Sequence, residues 1–148
     1  MTSKIETALL SREHLAAVAE LERLGFAEPW SEQALKLLLS DAAFGVVALQ
    51  NGTPAAYAGA MIAADEGQIT NVCTHPNARR MGFGRAALEA LECEARARGL
   101  LQLSLEVRVS GNAAIALYQS RGFEIAGVRK RFYRHPTEDA YVMLKALT

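Results

Sequence analysis

The run Arg79-Arg80-Met81-Gly82-Phe83-Gly84-Arg85 constrains this chain more than any other part of it. It follows an apolar, β-like stretch from Gln68 to Thr74 and a turn at His75-Pro76, and it leads into a helical stretch from Ala86 to Arg98. Two glycines one residue apart let the backbone approach a ligand closely, because no Cβ stands in the way. The helix start behind them presents N–H groups without intrahelical acceptors and a partial positive charge. A glycine loop ahead of a helix N-terminus is a phosphate or pyrophosphate site, and Arg79, Arg80 and Arg85 add charge to it. The next apolar run, Leu101 to Val107, alternates like a strand. Residues 66–107 therefore read as strand–helix–strand, which requires parallel strands joined by a right-handed crossover.

Two phosphate-binding patterns compete for the loop. Gly82-Phe83-Gly84-Arg85-Ala86-Ala87 fits the dinucleotide fingerprint, and Glu106 stands where a ribose-binding acid would. Against it, the residues from His75 to Met81 separate the first glycine from its strand, whereas a dinucleotide fold needs the glycine almost at once. Only 42 residues follow Glu106, too few for the further βα units of that fold. No Gly-Lys-Ser/Thr occurs, which excludes a nucleotide P-loop.

The rest of the chain supplies a mixed framework. Lys4 to Leu10 predicts a first strand. Ser11 can cap a helix to about Leu24, with Leu15, Val18, Leu21 and Leu24 as its apolar face and Gly25 as its stop. Ser31 can cap a second helix, Glu32 to Leu39. Phe44 to Gln50 and Pro54 to Ala63 form a hairpin about Asn51-Gly52, and Glu66 to Thr74 is the fourth strand. Gly99 ends the third helix, Asn112 to Ser120 is the fourth, and Glu124–Phe132 with Ala140–Lys145 closes the fold as an antiparallel pair. The order predicts an α+β sandwich: a mixed, mostly antiparallel sheet with a central parallel βαβ unit and helices on both faces. No linker or repeat interrupts residues 1–148, so a single domain is expected.

Charge narrows the partners. The net charge is zero, which gives no support to sequence-independent nucleic-acid binding. Residues 1–75 carry four basic and nine acidic side chains, and residues 76–148 carry twelve and seven. That split suits a polyphosphate ligand on the basic half and a cationic substrate on the acidic half, or it is chance segregation of surface charge. No apolar run reaches membrane-spanning length, Glu6, Arg12 and Glu13 rule out a signal peptide, and Cys73 and Cys93 make no disulfide framework. A cytoplasmic protein with no membrane partner is expected. His14, His75 and His135 lack metal-ligand spacing, so no metal is expected.

Arg79-x-x-Gly82-x-Gly84 resembles the acyl-CoA signature of the GCN5-related N-acetyltransferases (GNAT). Ala113-Ala114-Ile115-Ala116-Leu117-Tyr118-Gln119-Ser120-Arg121-Gly122-Phe123 is similar to that family's last helix and the turn after it. Glu28-Pro29-Trp30-Ser31 and Leu105-Glu106-Val107-Arg108 resemble the branch that acetylates N-terminal alanine on bacterial ribosomal proteins. The resemblance spans nearly the whole chain and implies a seven-stranded sheet and acetyl-CoA as co-substrate. Its implied acceptor is a protein's N-terminal α-amine. A small-molecule amine, or acyl-CoA binding without catalysis, are the alternatives.

Acetyl transfer needs a neutral amine, stabilisation of the developing oxyanion, and a proton for the departing thiolate. The resemblance implies Glu106 as general base acting through water, and Tyr118 as general acid. Glu106 paired to Arg108 or Arg129, and Tyr118 as a packed aromatic, are the structural alternatives. Val72, Cys73 and Thr74 match the strand whose backbone pairs with the pantetheine arm and supplies the oxyanion donor, while Arg79 to Arg85 (Arg79, Arg80, Met81, Gly82, Phe83, Gly84, Arg85) would cradle the pyrophosphate. Where the family usually has a CoA-contacting asparagine, this chain has Gly111 with asparagine one place later. Asn112 therefore either replaces that contact or merely caps the helix. Trp30 and Tyr133 would line the acceptor cleft, or belong to core and to a solvated strand face. Cys73 as an acyl-enzyme nucleophile finds no His or Asp partner in sequence and reads as packing. An α-amine near pKa 8 is about 200-fold more neutral at pH 7 than a lysine, which favours N-terminal acceptors.

Overall fold

The computed structural model describes residues 5–148. The chain runs β1 (Glu6–Leu9), α1 (Leu15–Gly25), α2 (Glu32–Leu35), β2 (Ala43–Gln50), β3 (Thr53–Ala63), β4 (Glu66–Thr74), α3 (Phe83–Ala97), β5 (Gln102–Arg108), α4 (Asn112–Ser120), β6 (Glu124–Tyr133) and β7 (Glu138–Ala146). Seven strands form one sheet in the order β1-β2-β3-β4-β5-β7-β6. Among the described residues only β4 and β5 pair in parallel, as the strand–helix–strand unit requires. β4 and α4 fall where the sequence places them. β1 is shorter than expected, and Lys4, expected to begin it, lies outside the described residues. At Asn51 and Gly52 both φ angles are positive (52° and 82°), the type I′ turn that joins β2 to β3.

Side chains from the two faces form two cores. One holds Phe44, Leu88, Leu91, Leu103, Leu105, Tyr118 and Phe123 under α3 and α4. The other holds Leu15, Val18, Leu21, Leu35, Leu38, Val47, Tyr57 and Cys73 under α1 and α2. The apolar face of α1 needs one correction. Leu24 is 46% exposed, whereas Glu22 is 1% exposed. Four leucine or valine positions spaced by three drift around the helix, so Leu24 lies about 180° from Leu15 at 3.6 residues per turn. Glu22, four after Val18 and seven after Leu15, takes the inward position.

α3 also begins three residues earlier than expected, at Phe83, with Gly82 as its N-cap at φ 89°. Glycine argues against a helix interior but not against its first turn, where N–H groups lack intrahelical acceptors in any case. The glycine pair therefore builds the helix start instead of preceding it. The two glycines serve differently. Gly82 is required by its left-handed backbone. At Gly84 an added Cβ would sit 2.8 Å from Thr74 Oγ1, so its absence lets α3 pack on the end of β4.

Candidate active site

The parallel pairing of β4 with β5 stops at Gln68 and Ser104. β4 continues to Thr74 and β5 to Arg108, so the strands part and their facing backbone groups lose each other as partners. A cleft of about 710 Å³ opens at this fork. Ile69, Thr70, Asn71 and Val72 line it from β4, Leu105 to Arg108 from β5, and Gly111, Ala114 and Tyr118 from the α4 side. Its other walls are the α1–α2 loop, with Phe26, Glu28 and Trp30, and the β6–β7 end, with Phe132, Tyr133 and His135. Two irregularities aim these walls. Gly59 pairs with Asn71 and Ala60 with Ile69, which leaves Thr70 bulged and turns Asn71 toward α1. In β6 the register shifts between Arg129 and Tyr133, with Arg131 at φ 53°.

Strand alternation separates the two candidate proton-transfer groups. Leu103, Leu105 and Val107 point into the core under α3 and α4, so Glu106 points to the opposite face. Tyr118 belongs to the α3–α4 core. The fork is thus the passage between a carboxylate on one face and a phenol on the other. Glu106 receives Gln68 Nε2 at 3.4 and 3.3 Å and sits 3.5 Å from Arg129 Nε. The Arg129 pair exists and the Arg108 pair does not, because Arg108 faces Glu138. Arg129 is 59% exposed, so that bond is weak and water-screened. Glu106 lines the cleft and is ion-paired at once.

Tyr118 is also both things. Its ring packs edge-on against Phe123, with centroids 5.8 Å apart. Its hydroxyl has no protein acceptor among the described residues, and no buried side-chain polar atom there lacks a partner, so the hydroxyl opens onto the cleft. Burial, and then the neighbouring Tyr133, push its ionisation up to about 12. It stays protonated and able to donate throughout the physiological range.

The remaining expected residues distribute as follows. Val72 lines the fork. Cys73 points the other way, into the core under α1, and gives its thiol to Leu21 O at 3.2 Å. Burial first, and then the charge of Glu22, push that thiol up to about 12, so it holds its proton and is no nucleophile. Thr74 ends β4 beside Gly84. Arg79, Arg80 and Met81 are exposed on the loop before α3, with Arg80 at φ 63°. The buried Phe83 opens the helix. Arg85 reaches Glu89 one turn along α3 and Ser120 at the end of α4 instead of hanging free at the loop. Asn112 is no helix cap: Gly111 occupies the N-cap, and Asn112 is the exposed first helical residue. Trp30 packs on the α1 core and lines the cleft together. Tyr133 is a cleft wall, half-buried, its ring 4.4 Å beneath the Arg108 guanidinium. The cleft is lined from both halves of the chain, with Glu22 and Glu28 from the acidic half and Arg108 and Arg134 from the basic half.

Glu22 is the cleft residue that sequence patterning passes over. Its Oε1 accepts from Trp30 N at 2.8 Å, and its Oε2 accepts from the Tyr57 hydroxyl and, at 3.4 Å, from Asn71 Nδ2. One buried carboxylate thereby joins the α1–α2 loop, β3 and the bulge of β4. Its position on the apolar stripe of α1 was the available signal. Among the described residues no group of three or more metal-ligating side chains is assembled, and no helix is long and apolar enough to cross a membrane.

Comparison with known proteins agrees with this fold. A model of the Acetyltransferase (GNAT) family matches residues 15–123. The chain is 40% identical over 133 residues to the [ribosomal protein bS18]-alanine N-acetyltransferase of Escherichia coli, covering 87% of this chain and 88% of the other. It is 34% identical over 149 residues to the N-alpha-acetyltransferase RimI of Mycobacterium tuberculosis, covering 96% and 92%. The crystal structure of the Escherichia coli ribosomal-protein-S18-alanine N-acetyltransferase superposes with a TM-score of 0.90 at 35% identity, covering 98% of this chain and 95% of that one. The forked sheet and the similarity across nearly the full length lead to one conclusion: this chain belongs to the GNAT family and is an N-acetyltransferase.

Proposed function

We propose that the enzyme transfers acetyl from acetyl-CoA to the N-terminal α-amine of a protein in the cytoplasm, with a ribosomal protein beginning in alanine as its target. The observation that carries the chemistry is the placement of Glu106 and Tyr118 on opposite faces of one fork. The relatives' named activity on bS18 alanine supports the acceptor.

The chain fits the co-substrate at several points. The N–H groups of Phe83, Gly84 and Arg85 open α3 without intrahelical acceptors, and the Arg79–Gly82 loop precedes them with two left-handed residues. The freed edge of β4 at Val72, Cys73 and Thr74 offers backbone groups to an extended arm, and the same segment offers the oxyanion an N–H. Asn112, exposed at the start of α4, is free to reach a ligand on that side. Acetyl-CoA brings a thioester carbonyl and a thiolate leaving group. Glu106 takes the proton of the incoming ammonium through water, and Tyr118 donates its hydroxyl proton from the other face. Trp30 and Tyr133 flank the entering chain.

The test is direct transfer to a defined acceptor. A hexapeptide with N-terminal alanine should gain one acetyl group by mass spectrometry, while the same peptide blocked at its N-terminus and offering lysine should not. Equal rates on both would reject N-terminal selectivity, and acetylation of small amines alone would place the acceptor among small molecules.

A further inference from the structure

Arg108 stands two residues beyond Glu106 on the same face of β5, and its guanidinium is directed wholly at one segment. Nη1 donates to Pro136 O at 3.1 Å and to Glu138 Oε1 at 3.2 Å, and Nη2 donates to Arg134 O at 3.2 Å. Its Cζ lies 4.4 Å over the Tyr133 ring. All four partners fall within residues 133–138, which carry β6 into β7 and form one lip of the cleft. That segment is irregular, so Arg134 O and Pro136 O have no strand partner to bond instead. Glu138 also accepts from Ser110 N at 2.8 Å, which extends the brace to the turn before α4.

The held ring is a wall of the cleft. Tyr133 lines the cleft together with Glu106 and Tyr118, and burial, then the charge of Glu106, push its hydroxyl up. Two carbonyls, a carboxylate and an aromatic face are bound together only by a planar group with several forked donors, and lysine offers a single point charge in its place. Glu106 and Tyr118 stand on β5 and α4, outside the braced segment. An acceptor long enough to lie along the lip therefore depends on the brace more than one that only reaches the fork.

We propose that Arg108 is a positioning residue that fixes the Tyr133 lip and so sets the preference for peptide acceptors over free small amines. This rests on the N-terminal acceptor reading given above.

The experiment compares an alanine-starting hexapeptide with alaninamide, in wild type, Arg108→Lys, Tyr133→Ala and the double variant. Arg108→Lys should lower the ratio of kcat/KM for hexapeptide over alaninamide about tenfold, the size of one lost anchoring contact, and KM for the peptide should carry the change. Tyr133→Ala should lower the ratio similarly, and the double variant should be no worse than Tyr133→Ala, because Arg108 acts through that ring. An equal loss on both acceptors, an unchanged ratio, or additive losses in the double variant would overturn the assignment. If Arg108→Lys melts more than about 10 °C low, Tyr133→Ala and Glu138→Gln, which loosens the same brace, decide the ratio test. Wild-type enzyme inactive on the peptide but active on alaninamide would overturn the acceptor reading itself, and the positioning role with it.

Discussion

The two faces of the forked sheet build their halves of the site by different means. On the α3 face the cradle proposed for the cofactor is backbone: a left-handed Gly82, a helix start at Phe83, and the unpaired edge of β4. On the α1 face the acceptor cleft is positioned by side chains: Glu22 holds the Trp30 backbone N–H, Arg108 the Tyr133 ring, and Gln68 and Arg129 hold Glu106. Backbone conformation tolerates few residue types at a few positions, whereas a side-chain cleft can be assembled from many. The difference teaches why one face announces itself as a motif and the other emerges only from packing. It also predicts separable phenotypes: changes to the backbone cradle should appear in cofactor affinity, and changes to the lips of the cleft in acceptor KM.

The largest effect tests the link between the faces. Tyr118→Phe removes one hydroxyl and keeps the ring that packs on Phe123. As the general acid its loss should reduce kcat by about 10²-fold or more, with CoA affinity by calorimetry nearly unchanged. Full turnover together with a lower Tm would assign Tyr118 to packing. The pH profile gives a second handle. Burial raises this phenol to about 12, so its protonated, donating form persists through every pH below that. Wild-type kcat/KM should climb through the amine's pKa near 8, and kcat should show no descending limb by about pH 10, where an unshifted tyrosine would be half ionised. A descending limb there would mean an unshifted acid.

Glu106→Gln comes next, because its effect depends on pH. The amide keeps the size and a bond to Gln68 but cannot take a proton. Most of the activity should disappear near pH 7, where the amine is mainly ammonium, and part of it should return above about pH 8, where free amine is plentiful. Wild-type rates at pH 7 would reduce Glu106 to its ion pair with Arg129.

Gly84→Val isolates the first face. Its Cβ would meet Thr74 Oγ1 at 2.8 Å, so the start of α3 must move off β4. CoA affinity should fall by more than about tenfold while KM for the peptide changes little, since no acceptor wall touches that contact. Unchanged CoA binding would exclude the glycine loop as the phosphate cradle.

What was legible in the sequence follows the same division. The glycine loop, the Asn51-Gly52 turn and the 66–107 crossover were legible because each depends on a residue type or spacing with few substitutes. Glu106 and Tyr118 were legible as candidates through resemblance, and alternation along β5 shows why they face opposite ways. The bulge at Thr70, the Arg108 brace and the partners of Glu22 were not legible. Each depends on a partner far away in sequence, which no local period encodes. Counting leucines at intervals of three placed Leu24 inward, where the true helical repeat places Glu22.

Glu22 supplies the smallest expected effect and the sharpest test of whether the faces are independent. Its carboxylate is buried, with three neutral donors and, among the described residues, no cation at ion-pair distance. Glu22→Gln preserves the shape, and the amide oxygen can still accept from Trp30 N. The amide nitrogen then confronts Tyr57 and Asn71. The Tyr57 hydroxyl can turn to accept, but Asn71 Nδ2 faces a donor and loses its bond. One unsatisfied buried donor costs about 1–3 kcal/mol, so Tm should fall by several degrees in a domain of this size. The network holds the Trp30 lip and the bulge that turns Asn71, both on the α1 face, so peptide KM should rise about threefold while CoA affinity stays within about twofold. The bulge belongs to β4, whose other edge is the proposed pantetheine strand. If CoA affinity falls in step with peptide affinity, the bulge transmits through the strand, and the two faces act as one site.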